Sequence, residues 1–147
     1  MQIEAQVNPP SPIPSIVVSS LAVLGGVGVV VGAALPWITT GVSRSAFTMA
    51  RIASEIGVLD TSVRKFAVTA LLATPIVVSL VLLLLGLGKP KLAGLIGLPL
   101  GVAGLGGGIV GSKFSSTTLA GPLVCLVGGV LTIVGAWGLL LLPSRRN

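Results

Sequence analysis

Four apolar runs, 16–35, 66–88, 92–111 and 119–142, occupy most of this 147-residue chain, and none contains a Lys, Arg, Asp, Glu or His. Each is about 20 residues long, the length a helix needs to cross a ~30 Å hydrocarbon core at a rise of ~1.5 Å per residue. A backbone can cross lipid only as a helix or a closed barrel, and runs of this length without period-2 alternation predict helices. The expected fold is therefore all-α and integral to a membrane: four transmembrane helices in one antiparallel bundle, a single membrane domain over 1–147.

Charged residues make up 8% of the chain against 53% hydrophobic residues, and the net charge is +6. A nucleic-acid binder would gather its basic residues with aromatics on a polar domain. Here they sit between the runs, as membrane flanks do, and neither a nucleic acid nor a soluble substrate is expected as a partner. Catalytic, cofactor and metal sites are not expected either. There is no histidine and no acidic pair, and the single cysteine, Cys125, lies inside the fourth run, so metal ligation and general acid–base chemistry lack residues. Small multidrug exporters and rotor-ring subunits couple to ions through a carboxylate in the membrane, and the runs contain none. The first run has no basic segment before it and ends at Pro36-Trp37, so it reads as an uncleaved span.

Between the spans the sequence punctuates itself. Residues 1–15 form a proline-rich tail, with Pro9, Pro10, Pro12 and Pro14 favouring extended polyproline II over helix; it is either a flexible tail or an arm on a partner. Residues 36–65 are the one sizeable loop. Within it Met49, Ile52, Ile56 and Leu59 recur at helical spacing, with Arg51 and Glu55 four apart and off that stripe. A short amphipathic helix over about 45–58 is expected, extracytoplasmic and lying in the interface or on another subunit. Gly57 and Asp60 break it, and Asp60 or Thr61 can cap the next span. Gly88-Lys89-Pro90-Lys91 is too short for anything but a turn between antiparallel helices. Pro75 and Pro99 sit near the middles of the second and third spans.

Glycine supplies 21 residues in a pattern. Gly97, Gly101, Gly104, Gly108 and Gly111 follow one face of the third span; Gly121, Cys125, Gly128, Thr132 and Gly135 repeat those offsets in the fourth; Gly25, Gly28 and Gly32 stripe the first. Lipid gives helices no hydrophobic drive to associate, so close backbone approach must hold them. These stripes are expected to be packing seams of the bundle or a groove for a partner helix or lipid. The first and fourth spans also share GGVxxxVGA, at 25–33 and 128–136, as two copies of one packing surface. Trp37 and Trp137 are expected as interface anchors.

The segment Gly25–Trp37, ending Ala34-Leu35-Pro36-Trp37, resembles the first span of small actinobacterial four-helix membrane proteins of unassigned role. So does the layout after it: Ser45-Ala46-Phe47 before a short helix, a proline in the second span, and Gly121–Gly135 in the fourth. Some proteins of this kind resemble accessory subunits of mycobacterial envelope machines, including Mce-type lipid importers. The resemblance implies a partner that is a larger membrane complex, contact with lipid, and no catalytic motif. The polar tail that many of them carry is shorter here.

The functional expectation is a non-catalytic accessory subunit of a larger bacterial inner-membrane complex, most simply a lipid-transport or cell-envelope assembly. Its rivals are a small oligomeric transporter or channel, with Pro75 and Pro99 bending a pore, and an accessory subunit of a respiratory complex. Basic residues divide four to five between the two sides. Both termini are nevertheless expected in the cytoplasm, because Lys89 and Lys91 crowd one turn and Arg145-Arg146 follow the last span, whereas the other side's charges are partly spread along a helix that can pair or dock.

Overall fold

The computed structural model describes residues 13–40, 42–56, 61–114 and 120–142. Its elements are α1 (Ile13–Ala34), β1 (Pro36–Thr40), β2 (Val42–Ser45), α2 (Ala46–Ile56), α3 (Thr61–Gly86), α4 (Pro90–Phe114) and α5 (Ala120–Leu141). Four of these, α1, α3, α4 and α5, are long and apolar enough to cross a membrane, over Ser15–Ala34, Thr69–Gly86, Pro90–Lys113 and Ala120–Leu141. They pack on one another as an antiparallel bundle, and the protein is an all-α, multi-pass membrane fold.

α5 joins the bundle together. It lies antiparallel between α1 and α4 and contacts both far more closely than any other pair of helices touches. α1 and α4 run parallel and meet at Val29 and Gly104 and at Gly26 and Leu100. α3 covers the opposite side of the α1–α4 pair and stands further off, for a reason in its sequence: α3 has no glycine before Gly86, so its valines and leucines hold the backbones apart. Three apolar clusters follow the bundle axis. Ala22, Val81, Ala93 and Leu139 fill the end near the α3–α4 turn, Val29, Val78 and Leu100 the middle, and Ala33, Ala46 and Cys125 the far end.

The α3–α4 turn is set by its residues. Gly88 takes φ +69°, open at no cost only to glycine. Its N–H donates to the Leu85 carbonyl (3.1 Å) and that of Lys89 to Leu84 (2.9 Å), the paired bonds of a Schellman cap. The Lys89 carbonyl then accepts from Ala93 (3.1 Å), which puts Pro90 at the first position of α4, where its missing N–H costs nothing. Pro14 likewise sits in the first turn of α1, so that helix starts inside the proline-rich segment.

At the other end the chain departs from a plain loop. β1 and β2 pair antiparallel, Ile38 opposite Arg44 and Thr40 opposite Val42, with an irregularity between Pro36 and Ile38. The Ser45 hydroxyl accepts from the Thr48 N–H (3.4 Å) and caps α2. Arg51 and Glu55 pair at 3.3 Å on its exposed side.

Candidate functional site

The glycines of the membrane helices are the feature that local sequence cannot explain, and their surroundings give each a job. Adjacent residues on a helix point ~100° apart, so a doublet of small residues can serve two neighbours at once. α5 does this repeatedly. Gly128 faces α1, where an added β-carbon would stand 2.7 Å from the Val29 nitrogen and 2.8 Å from the Gly25 carbonyl oxygen. Gly129 faces α4, 2.5 Å from the Leu105 nitrogen and 2.8 Å from the Gly101 oxygen. These are backbone contacts that no side chain can move aside to accommodate.

The pattern runs the length of α5, with each distance again taken from the place of an added β-carbon. Towards α1, Gly135 rests on the backbone of Ala22, Gly25 on that of Thr132, Gly32 on Cys125 (2.6 Å to its nitrogen), and Gly28 on the Gly128 Cα (3.2 Å). Towards α4, Gly97 meets Ala136 Cβ (3.3 Å), Gly101 meets Ile133 Cγ1 (2.6 Å), and Gly108 meets the Pro122 oxygen and Leu126 nitrogen (2.8 Å each). Gly104 is shared, with Val29 Cγ2 at 2.5 Å and the Gly129 Cα at 3.3 Å. In the stripe Gly121, Cys125, Gly128, Thr132 and Gly135, the last four therefore serve α1, and Gly121 meets Pro36 and Trp37 of β1. α4 is received by a second stripe, Pro122, Gly129, Ile133 and Ala136, which the i, i+4, i+7 count passes over. The doublets Gly121-Pro122, Gly128-Gly129 and Gly135-Ala136 were its signal in the sequence.

Turned end over end, the α1–α5 pair superposes on itself in pattern. From 20 to 35 and from 123 to 138, buried, half-buried and exposed positions follow the same order, residue for residue. The shared GGVxxxVGA lies at the centre of both stretches, and each copy packs on the other.

Trp37 closes the far end of this seam. Its Nε1–H donates to the Gly32 carbonyl (2.8 Å). Its ring lies over three glycines: a β-carbon would be 3.6 Å away at Gly107, 2.7 Å away at Gly111, and in direct contact with the ring at Gly121. The indole N–H is thus satisfied within the chain. Trp137 points outward from α5 and is 58% exposed. In α2, Met49 and Ile52 are half-buried and Ile56 is 68% exposed; Leu59 lies outside the described residues. Ala46 is buried and Phe47 and Leu71 pack with it against the far-end cluster, so α2 is tied to the bundle by its first turn.

Three hydroxyls inside the helices close on their own backbones: Thr132 on the Gly128 carbonyl (2.7 Å), Thr74 on Ala70 (3.0 Å), Ser79 on Pro75 (2.9 Å). The Cys125 thiol points at the Val29 carbonyl across the seam (3.5 Å). A gap between α1, α3 and α4, beside Gly26, Val78 and Leu100, measures about 10 Å³, at the lower limit of roughly 10–15 Å³ for one water. Among the described residues no three His, Cys, Asp or Glu side chains come together. The arrangement is built for helix contact. No protein-family model matches this chain, and no curated protein or solved structure is similar to it.

Proposed function

We propose that this chain is a non-catalytic accessory subunit that packs against and stabilises a larger complex of a bacterial inner membrane, a lipid-transport or cell-envelope assembly. The observation that carries this reading is the closed interior. α1, α4 and α5 meet at backbone contact, three hydroxyls are spent on their own helices' carbonyls, and the gap of about 10 Å³ admits no substrate. A subunit of that kind acts through its outside, by binding one assembled state of a partner and raising its population.

The glycine seams are taken up within the chain, so the partner contacts fall on the outward faces. Met49, Ile52 and Ile56 of α2 are one candidate patch, and the exposed ridge Leu72, Ile76 and Leu83 of α3 is another, in contact with lipid or with a partner helix. The rival, a small oligomeric transporter or channel, needs a polar path between copies of the chain, and within the second span only Thr69, Thr74 and Ser79 are polar.

Reconstitution of the purified protein alone in liposomes is the test. No ion or solute should cross at a rate above that of empty vesicles, while deletion in cells lowers the abundance of one co-purifying membrane complex. Robust transport by the protein without partners would overturn the accessory reading and promote the transporter.

A further inference from the structure

We infer that this chain, when made without a partner, inserts into the membrane in both orientations. Orientation of a multi-pass protein follows the imbalance of Lys and Arg between the two sides, counted over short loops and span ends. The order of the four helices assigns every such residue here. In chain order Arg44, Arg51, Arg64, Lys65 and Lys113 fall on one side of the spans, and Lys89, Lys91, Arg145 and Arg146 on the other. Five against four is no asymmetry. No side is marked for the cytoplasm.

The ground for placing the termini inside is the crowding of Lys89 and Lys91 at one turn and of Arg145-Arg146 after the last span, against charges spread along a helix on the other side. Those two lysines are exposed, and so are Arg44, Arg51 and Lys113 at the opposite rim. Arg51 pairs with Glu55, but at side-chain exposures of 81% and 63% the pair is screened by water and Arg51 still counts.

The apolar shaft does not break the tie. α1 and α5 are antiparallel, share GGVxxxVGA, and follow the same order of buried and exposed positions over 20–35 and 123–138. Inverting the α1–α5 pair exchanges Leu24 with Val127, Val27 with Val130, and Val31 with Val134, all exposed. Along that pair lipid meets nearly the same wall either way up. The inference stands apart from the accessory reading. A partner of fixed orientation would select one population by mass action, and the chain expressed alone would show both.

The experiment uses the full chain with Cys125→Ser and a single new cysteine, at Ser43→Cys on one rim or Asn147→Cys on the other. Each is treated with an impermeant maleimide in intact cells and again after permeabilisation. Both positions should label in intact cells, at fractions within about threefold of each other and complementary to one another. Lys89→Gln with Lys91→Gln leaves five basic residues against two. It should drive the ratio about tenfold towards labelling at 147. Arg44→Gln, Arg51→Gln and Lys113→Gln together leave two against four, and should drive it towards labelling at 43. All five residues are exposed, so the bundle is left intact. Labelling of one position only in the unmodified chain would overturn the inference, as would a ratio that neither charge variant moves.

Discussion

The side chain of Val29 occupies the space that a β-carbon on Gly104 would need, its Cγ2 standing 2.5 Å from that position. Val29 also backs onto Gly128 and offers its carbonyl to Cys125, so one residue of α1 touches both α4 and α5 at their closest approach. Gly104→Ala should lower the Tm in detergent, by an overpacking cost of about 1–3 kcal/mol. Val29→Ala in the same chain should return part of that loss, because the two residues share one space. Gly106→Ala is the control: nothing lies within 4 Å of its would-be β-carbon, and alanine there should be neutral or gain up to ~1 kcal/mol. Equal losses at 104 and 106 would deny the contact.

Neighbouring glycines should fail differently. Gly128→Ala strikes the backbone of α1 and Gly129→Ala the backbone of α4. Hydrogen exchange read helix by helix separates them. The first variant should speed exchange in α1 more than in α4, and the second should do the reverse. Identical profiles would mean that α5 is not held on two faces.

Trp37 gives an optical reading of the far end. In a Trp137→Phe background its emission should shift and its acrylamide quenching rise in Gly121→Ala, which places a β-carbon against the ring, and stay unchanged in Gly106→Ala. Trp37→Phe keeps the ring but loses the bond to the Gly32 carbonyl, a cost of about 0.5–1.5 kcal/mol. An emission maximum indifferent to Gly121→Ala would put the indole elsewhere.

Cys125 is 3% exposed and walled by Gly32 and Val29. In the folded protein in detergent it should resist N-ethylmaleimide, and react fully once the bundle is unfolded. Rapid labelling of the native protein would show that the α1–α5 seam opens.

The membrane helices are legible in the sequence because lipid imposes two simple demands, length and the absence of charge, and runs such as 119–142 meet both. The α3–α4 turn is legible because Gly88 and Pro90 each allow few conformations. What each glycine touches is less so. A stripe such as Gly97, Gly101 and Gly108 records that some backbone comes close, and the identity of that backbone depends on how α5 is rotated. Trp37 reads from sequence as an interfacial anchor because a tryptophan at a span end usually meets headgroups. Here Pro36 and the hairpin turn it back over Gly107, Gly111 and Gly121, residues 70 to 84 positions away. The hairpin itself hides in Ile38-Thr39-Thr40 and Val42, too short a β-branched run to stand out beside four long spans. For the accessory role the sequence offers only what is missing, and an absence names no partner.

The position of α5 sets an order of assembly. The helix that α1 and α4 both clasp is the last of the four to leave the ribosome. Until it arrives, Gly25, Gly28 and Gly32 on one side and Gly97, Gly101 and Gly108 on the other lie bare in lipid, with only the loosely fitted α3 beside them. A chain cut after residue 115 would keep two such faces uncovered, open to capture by an insertase, a protease or a waiting complex.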